Sequence, residues 1–409
     1  MENKIRIFID QPGELEKLYR ENRSGFKQAF STLYPDLKDQ ILARYWYERL
    51  YYPEGQIFKG KGLGYILIAG LICGLLTQIP GWFSLTPEEY FARHTGFIVF
   101  IALAGYYLYK SPPNRLLMVT LFLLTIVLVL YVNLIPGNLN DDVFALICMH
   151  VPVLLWGITG IAYMGQPIQN SERRLSYLKF MGDLIVISTV LGLSGLILSG
   201  LTVGLFEVIG LNIENFYYEN IALFFLPWIP ILGVYLIDTN PELVGKISPV
   251  IAKIFSPLVL VMLIAYLAAI LISDQSLYHD REYLLMYNIL LIGVMAIILF
   301  SIAERSDNEI SKPEKIILFL LSMLTIVINT FALSAIVFRI SNLGITPNRL
   351  AVLGANVLML SNLLLVSIQF IRIWSGQTGM LSVHNAISRY LPVYLGWALV
   401  VALIFPLLF

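Results

Sequence analysis

Apolar runs of about 20 residues dominate this chain and decide which folds are open to it. A bilayer core about 30 Å thick is crossed by roughly 20 consecutive apolar residues in an α-helix. By that measure the sequence predicts eleven spans, with ten or twelve also consistent because the second, sixth and seventh runs are short. The predicted spans lie near 63–83, 94–109, 116–135, 143–164, 184–209, 221–237, 257–272, 283–302, 316–338, 350–371 and 391–408.

Composition supports the same class. Hydrophobic residues make up 58% of the 409 residues and charged residues 13%, whereas soluble domains average about 45–50% and about 25%. So much apolar surface cannot be buried in a water-soluble core of this size. The balance of 27 basic and 27 acidic residues argues against nucleic acid as a partner. The predicted fold class is therefore an all-α, polytopic membrane protein with membrane lipids as its surroundings.

The charge distribution predicts two domains. Residues 1–62 hold 20 charged residues and the other 347 hold 34. We therefore expect a small cytoplasmic helical segment over 1–62 and a membrane domain over 63–409. Alternation of Ile5, Ile7 and Ile9 predicts a short strand, and an amphipathic helical hairpin follows it. An aromatic and basic flank is predicted to lie at the membrane interface: Trp46, Tyr47, Tyr51, Tyr52, Lys59 and Lys61.

The basic residues predict an orientation. With eleven spans, 23 of the 27 lysines and arginines fall on the side of the N-terminus. The positive-inside rule therefore places the N-terminus inside and the C-terminus outside. The four basic residues left outside are Arg93, Arg281, Arg339 and Arg349.

Small and polar residues within the spans are the next candidates. Gly70 with Gly74, and Gly200 with Gly204, form two GxxxG pairs, which favour close helix packing. Polar side chains in hydrocarbon are costly and therefore often functional. His150, Glu207 and Asn356 are such residues, although an interior hydrogen bond or a shallow position also explains the first two.

The segment from Arg339 to Arg349 is the densest polar cluster on the predicted outer side. Thr346 is placed to cap a helix that begins at Pro347. Two interpretations stay open. The cluster is a capped turn whose arginines reach lipid headgroups, or it is an anion site in which guanidinium groups and a helix N-terminus bind carboxylate or phosphate.

The same cluster carries a family resemblance. Arg339, the turn Gly344-Ile345-Thr346 and the following Pro347-Asn348-Arg349-Leu350 resemble the C-terminal signature of a bacterial family of polytopic membrane proteins, the domain of unknown function 4153. Residues 14–20, Glu-Leu-Glu-Lys-Leu-Tyr-Arg, and Phe26-Lys27 are similar to leaders of its Bacteroidota members. The resemblance implies a bacterial inner (cytoplasmic) membrane protein and implies no reaction.

Three functions remain open from the sequence. The first is transporter-like handling of a small anionic or lipid-linked substrate by Arg339, Arg349 and Thr346, with His150, Glu207 and Asn356 as polar lining. The second is a non-catalytic regulatory subunit that docks a cytoplasmic protein through residues 1–56.

The third is a lipid-linked sugar transferase that uses Asp141 and Asp142. No catalytic motif, metal-ligand spacing or cofactor signature is found in the sequence, so the expectation leans away from an enzyme.

Overall fold

The computed structural model describes residues 1–51, 61–165, 170–272, 281–303 and 311–409. Within these ranges the chain is helical and contains no strand. The residues form two compact units, Met1–Lys61 and Gly62–Phe409. The predicted all-α class is confirmed. Tyr52 and Lys59 of the predicted flank lie outside the described residues.

The first unit contains four helices with a small core of their own. They are α1 (Glu2–Ile7), α2 (Pro12–Glu21), α3 (Arg23–Leu37) and α4 (Ile41–Tyr51). The side chain of Asn22 accepts a hydrogen bond from the backbone N–H of Gly25 and so begins α3. The core consists of aromatic and aliphatic side chains from all four helices, among them Ile5, Leu15, Phe26, Phe30 and Trp46.

Two expectations for this unit are wrong. The predicted strand is wrong because residues Glu2–Ile7 form helix α1, with Ile5 buried and Ile7 70% exposed, and Ile9 is buried in the turn that follows. The predicted interfacial belt does not include Trp46, which is buried 5.1 Å from the ring of Phe26. Tyr47 likewise stacks on Tyr34 at 3.8 Å. These aromatic residues build the core of the unit.

The second unit contains the remaining helices. These are α5 (Lys61–Phe83), α6 (Pro87–Lys110), α7 (Arg115–Leu134), α8 (Asp142–Met164), α9 (Ser171–Val208), α10 (Glu214–Phe216), α11 (Leu223–Phe225), α12 (Trp228–Thr239), α13 (Pro241–Ile272), α14 (Arg281–Ala303), α15 (Lys312–Leu343), α16 (Pro347–Trp374), α17 (Leu381–Leu399) and α18 (Phe405–Leu408). Two π-helical segments, Tyr217–Ala222 and Val400–Ile404, join α10 to α11 and α17 to α18.

Eleven of these helical stretches are long and apolar enough to cross a membrane. Each overlaps one predicted span, so the predicted count is confirmed within the described residues. The sixth span is composite: it runs from α10 through the π-helical segment to α12, with an interruption at Leu226 and Pro227. The other ten spans are single helices, except that the last contains α17 and α18.

The spans pack into two bundles. In the first bundle, α5, α6, α9 and α12 enclose a core that includes Tyr106, Phe180 and Ile231. In the second bundle, α13–α17 enclose a core that includes Leu291, Ile328 and Phe370. Helix α8 packs on α6 and on α17 and so joins the two bundles. Helix α7 is peripheral, with only 11% of its span buried against 56% for α8.

The two GxxxG pairs behave differently. A Cβ atom on Gly70 would lie 2.6 Å from the ring of Trp228, and one on Gly74 would lie 2.7 Å from the ring of Phe224. These glycines allow α5 to approach the sixth span, as predicted. A Cβ atom on Gly200 or Gly204 would meet no heavy atom of another helix within 4 Å, so the close packing predicted for this pair is wrong for the described chain.

Candidate functional site

The turn between α15 and α16 is a capped turn. Gly344 adopts a positive φ of 78°, which a residue without a side chain tolerates best. The hydroxyl of Thr346 accepts a hydrogen bond from the backbone N–H of Arg349 at 3.3 Å, and Pro347 occupies the first helical position. The predicted helix start is therefore confirmed.

Arg349 folds back over the end of α15. Its Nη1 donates to the carbonyl oxygens of Leu343 at 2.9 Å and Gly344 at 2.7 Å. These carbonyls lie at the helix C-terminus, where no backbone donor follows and where positive charge is favourable. Nη1 of Arg349 thus stabilises the turn by donating to two of its carbonyl oxygens.

Arg93 does the same for α7. It donates to the carbonyl oxygens of Val132 at 2.5 Å and Gly137 at 3.1 Å. Its guanidinium carbon also lies 4.3 Å from the centre of the Phe144 ring, a cation–π distance. Two of the four arginines on the predicted outer side therefore close helix ends.

Arg339 differs from Arg349. Its Nη1 is buried and has no hydrogen-bond partner in the described part of the chain. A guanidinium nitrogen in that condition is short of an acceptor. Of the two predicted anion ligands, Arg339 is thus the one with hydrogen-bonding capacity to spare.

The other predicted site residues lie apart from this turn. His150 hydrogen-bonds through Nδ1 to the carbonyl oxygen of Leu146, one turn earlier in α8, at 2.8 Å. Glu207 is exposed near the end of α9. Asn356 is fully buried in α16 and donates to Asn288 of α14 at 2.9 Å. No hydrogen bond or ion pair among the described residues joins these three side chains to Arg339 or Arg349.

The membrane unit has two ends, and each is named here by a residue that lies at it. The Lys110 end is where α6, α8 and α12 finish and α7 and α9 begin. The Arg349 end is the opposite one, where α15 finishes and α16 begins. These names carry no statement about which end faces the cytoplasm.

An apolar groove of about 610 Å³ opens between α6, α7 and α8. Ala104 and Leu108 contribute from α6, Met118 and Phe122 from α7, and Ile158 from α8. Several of these side chains are on the outer surface of the unit, and Phe122 is 65% exposed. The groove therefore faces the hydrocarbon of the surrounding lipid.

A polar pocket of about 560 Å³ follows the groove toward the Lys110 end. Its lining includes Ser111, Asn114, Tyr163, Arg173 and Ser176. Asn114 is one turn from the groove residue Met118 on α7, and pocket residue Ala162 is one turn from Ile158 on α8. The groove and the pocket thus follow each other along the same helices.

An ion pair lies beside this pocket. Lys110 pairs with Asp238 of α12, and Tyr106 donates to the same carboxylate at 2.8 Å. Both charged side chains are about a quarter exposed, at 27% and 23%. Lys110 immediately precedes Ser111 of the pocket. The pair holds α12 against α6 at the Lys110 end.

An aromatic cluster packs against one wall of the pocket. Tyr163 lines the pocket and packs on Tyr107 and Phe180, with ring centres 4.9 and 5.2 Å apart. Tyr177 donates to the carbonyl oxygen of Trp156 at 2.6 Å. The sequence signal for this site is Tyr106-Tyr107-Leu108-Tyr109-Lys110 followed by Pro112-Pro113-Asn114, which by itself indicates only the end of a span.

The remaining candidates have structural contacts. Asp141, considered for a transferase, accepts a hydrogen bond from the backbone N–H of Val143 at 2.9 Å and caps α8. Cys73 and Cys148 are buried free thiols. Across the described ranges, no group of three or more His, Cys, Asp or Glu side chains is placed to hold a metal ion.

Comparisons with known protein families, with curated proteins and with solved structures each found no match. The resemblance noted in the sequence therefore stays a prediction, and function is argued from the geometry of the membrane unit. That geometry identifies the chain as a multi-pass helical membrane protein.

Proposed function

We propose that this protein binds and handles an amphipathic anion, either a lipid with an acidic headgroup or a lipid-linked substrate, in a transporter-like manner. The observation that carries the proposal is the succession of apolar groove and polar pocket along α6, α7 and α8. A chain in the groove would place its headgroup in the pocket. On the family resemblance, the protein lies in the cytoplasmic membrane of a bacterium, and on the positive-inside argument the pocket lies on the cytoplasmic side.

The pocket favours an anion. Arg173 lies in its wall, and guanidinium groups pair well with phosphate and carboxylate oxygens. The N-termini of α7 and α9 reach the pocket through Asn114 and Arg173, and helix N-termini attract negative charge. Ser111 and Ser176 supply hydroxyl groups to the same space.

The groove favours a hydrocarbon chain. Its volume lies in the range of small-molecule sites, and its lining is almost entirely aliphatic or aromatic. Because ordinary lipid also fits an apolar groove, selectivity has to come from the pocket.

The position of Arg173 makes it the main candidate for the anion contact. Its Nη1 donates to the carbonyl oxygen of Met164, which holds the guanidinium at the wall of the pocket. Arg339 and Arg349, the anion ligands predicted from the sequence, lie at the opposite end of the unit, and Arg349 donates to two backbone carbonyls there. A headgroup that continues from the groove therefore meets Arg173.

The test measures binding of a fluorescent phosphatidic-acid analogue to the protein in nanodiscs, with the phosphatidylcholine analogue of equal chain length as comparison. Arg173→Gln should weaken binding of the acidic probe about tenfold, the loss of one charge-assisted contact. Arg372→Gln is the control, since Arg372 is exposed in the last turn of α16 and lies outside the pocket.

A second pair of variants tests the groove. Met118→Trp fills the groove where it meets the pocket and should weaken binding of both probes. Leu123→Trp adds the same ring at an exposed position of α7 that does not line the groove and should leave binding unchanged. Equal affinity for both probes, or equal effects of Arg173→Gln and Arg372→Gln, would contradict the proposal. A probe with a polyprenyl chain separates a lipid-linked substrate from an acyl lipid.

The second candidate function is docking of a cytoplasmic protein through residues 1–56. It is favoured by the separate core of the first unit, which is compact without residues from the membrane unit. Deletion of residues 1–56 should abolish co-purification of such a partner while the membrane unit keeps its thermal unfolding transition. Retention of the partner after the deletion would exclude this role.

A further inference from the structure

Three asparagines from adjacent helices of the second bundle form a hydrogen-bonded chain. Nδ2 of Asn329 in α15 donates to the backbone carbonyl oxygen of Asn356 in α16 at 3.0 Å. Nδ2 of Asn356 donates to Oδ1 of Asn288 in α14 at 2.9 Å. Asn329 and Asn356 are both 0% exposed. We call these three residues the asparagine cluster.

The cluster is rich in acceptors that have no donor. The Oδ1 atoms of Asn329 and Asn356 are buried and have no hydrogen-bond partner in the described ranges. The orientation of the Asn329 amide is fixed, because the carbonyl oxygen of Asn356 accepts only from its nitrogen. Burying an amide oxygen without a partner costs about 1–3 kcal/mol. Two such oxygens in linked residues leave acceptor capacity for a ligand.

The chemistry of the cluster selects the ligand. Its side chains are neutral amides, and the buried residues nearest in sequence, Ile328 and Met359, are apolar. Oxygen atoms are the ligands that hard cations prefer. A divalent ion would bring two charges into an apolar bundle with no carboxylate in the cluster, whereas a monovalent ion brings one.

We propose that the asparagine cluster binds a monovalent metal cation of the size of Na⁺ through the Oδ1 atoms of Asn329 and Asn356. The inference does not rest on the polar pocket at the Lys110 end, because the asparagine cluster lies on other helices.

The test measures thermal unfolding of the full-length protein in detergent, in NaCl and in choline chloride at equal ionic strength. Because a ligand that binds only the folded state stabilises it, Tm should be higher in NaCl by about 2 °C for each tenfold rise in Na⁺ above its Kd. Binding of ²²Na⁺ by scintillation proximity reports the same site directly. Equal Tm values in both salts would overturn the proposal and leave a bridging water as the partner of these oxygens.

Variants locate the site. Asn329→Leu removes the oxygen at similar volume and should abolish the Na⁺ dependence. Asn362→Leu is the matched control: Asn362 is equally buried in α16 and its Oδ1 likewise has no hydrogen-bond partner in the described ranges, but its Nδ2 donates to Tyr394, outside the cluster. Loss of the dependence in Asn362→Leu as well would overturn the assigned position. Should Asn329→Leu not fold, Asn356→Leu removes the other proposed oxygen while keeping the backbone carbonyl that accepts from Asn329, and it should likewise abolish the Na⁺ dependence; an unchanged dependence would contradict the proposal.

Discussion

In the first bundle an ion pair and a tyrosine hydroxyl meet at the Lys110 end, whereas in the second bundle linked neutral amides lie within the spans. Lys110, Asp238 and Tyr106 meet beside a pocket that contains Arg173. Asn288, Asn329 and Asn356 are linked inside the other bundle, and two of them are fully buried. The two bundles therefore accommodate polar groups differently, one with charged side chains at a helix end and the other with hydrogen-bonded amides within the spans.

The difference teaches which ligand each bundle can hold. At a helix end, water and lipid headgroups solvate charged side chains. Formal charges therefore persist there, and an anionic headgroup can bind. Within a span, an unpaired charge is far more costly, so amides take its place and attract at most a single positive charge. Predictions that disturb one bundle and leave the other intact test this contrast.

The largest expected effect is loss of the ion pair in the first bundle. Lys110→Met leaves the largely buried carboxylate of Asp238 without its partner and should destabilise the protein by about 2 kcal/mol, below the 3–5 kcal/mol of a fully buried pair because both groups are partly exposed. Thermal unfolding in detergent measures it. Adding Asp238→Asn should recover most of the loss.

Lys253→Met is the matched control in the second bundle. Lys253 lies 3.3 Å from Glu314 but is 67% exposed, so its loss should change stability by less than about 1 kcal/mol. If the two single variants lose the same amount, the Lys110 pair is an ordinary surface pair, and the contrast between the bundles fails at this point.

The next effect concerns helix packing in the first bundle. Gly70→Ala places a methyl group 2.6 Å from the ring of Trp228 and should cost about 1–3 kcal/mol by overpacking. Gly200→Ala meets open space and should be neutral or stabilising by up to about 1 kcal/mol, since alanine favours helix. Opposite signs in unfolding temperature are the expected result; equal losses would restore the packing role predicted for Gly200.

These glycines also show what the sequence could predict. Span positions depend on hydropathy over about 20 residues and on bilayer thickness, so all eleven were found within the described chain. The cap at Thr346 depends on neighbouring residues and was found as well. Which GxxxG pair meets another helix depends on tertiary packing, so the motif predicted Gly70 correctly and Gly200 wrongly.

The candidate sites were harder to predict for the same reason. Asn356 was singled out as a polar residue in a span, but its link to Asn329 and Asn288 requires knowing that α14, α15 and α16 are adjacent. The pocket at the Lys110 end combines residues of the α6–α7 connection with residues of α8 and α9, which are far apart in the sequence. Helix α1 was missed because the alternation of Ile5, Ile7 and Ile9 fits a strand, and a helix of six residues is too short to show a helical period of its own.

A smaller effect is expected at the Arg349 end. Arg349→Met removes two hydrogen bonds to the last carbonyls of α15 and should destabilise the protein by about 1 kcal/mol, since the side chain is partly exposed. Binding of the acidic probe should stay unchanged in nanodiscs. A tenfold loss of probe affinity without loss of stability would instead place the anion at this end, as the anion-site interpretation of the sequence predicts.

The smallest effect lies in the first unit, which has solvated charge pairs in place of either arrangement in the membrane bundles. Hydrogen bonds from Arg20 at 2.8 Å, together with the guanidinium of Arg49 at 2.7 Å, hold the pKa of Glu16 below its ordinary value. A carboxylate with a lowered folded-state pKa stabilises above its unfolded pKa of about 4.3 and loses that contribution as pH falls through the folded value. The helical signal of the Met1–Lys61 fragment should therefore melt at a constant temperature from about pH 8 to about pH 5 and at lower temperatures below about pH 4. Glu16→Gln should reduce the fall in melting temperature at low pH. Glu48→Gln is the control, since Glu48 is an exposed acid of α4, and it should leave that fall unchanged. If both variants keep it, other carboxylates of the unit carry the acid response and the pairing of Glu16 contributes nothing measurable.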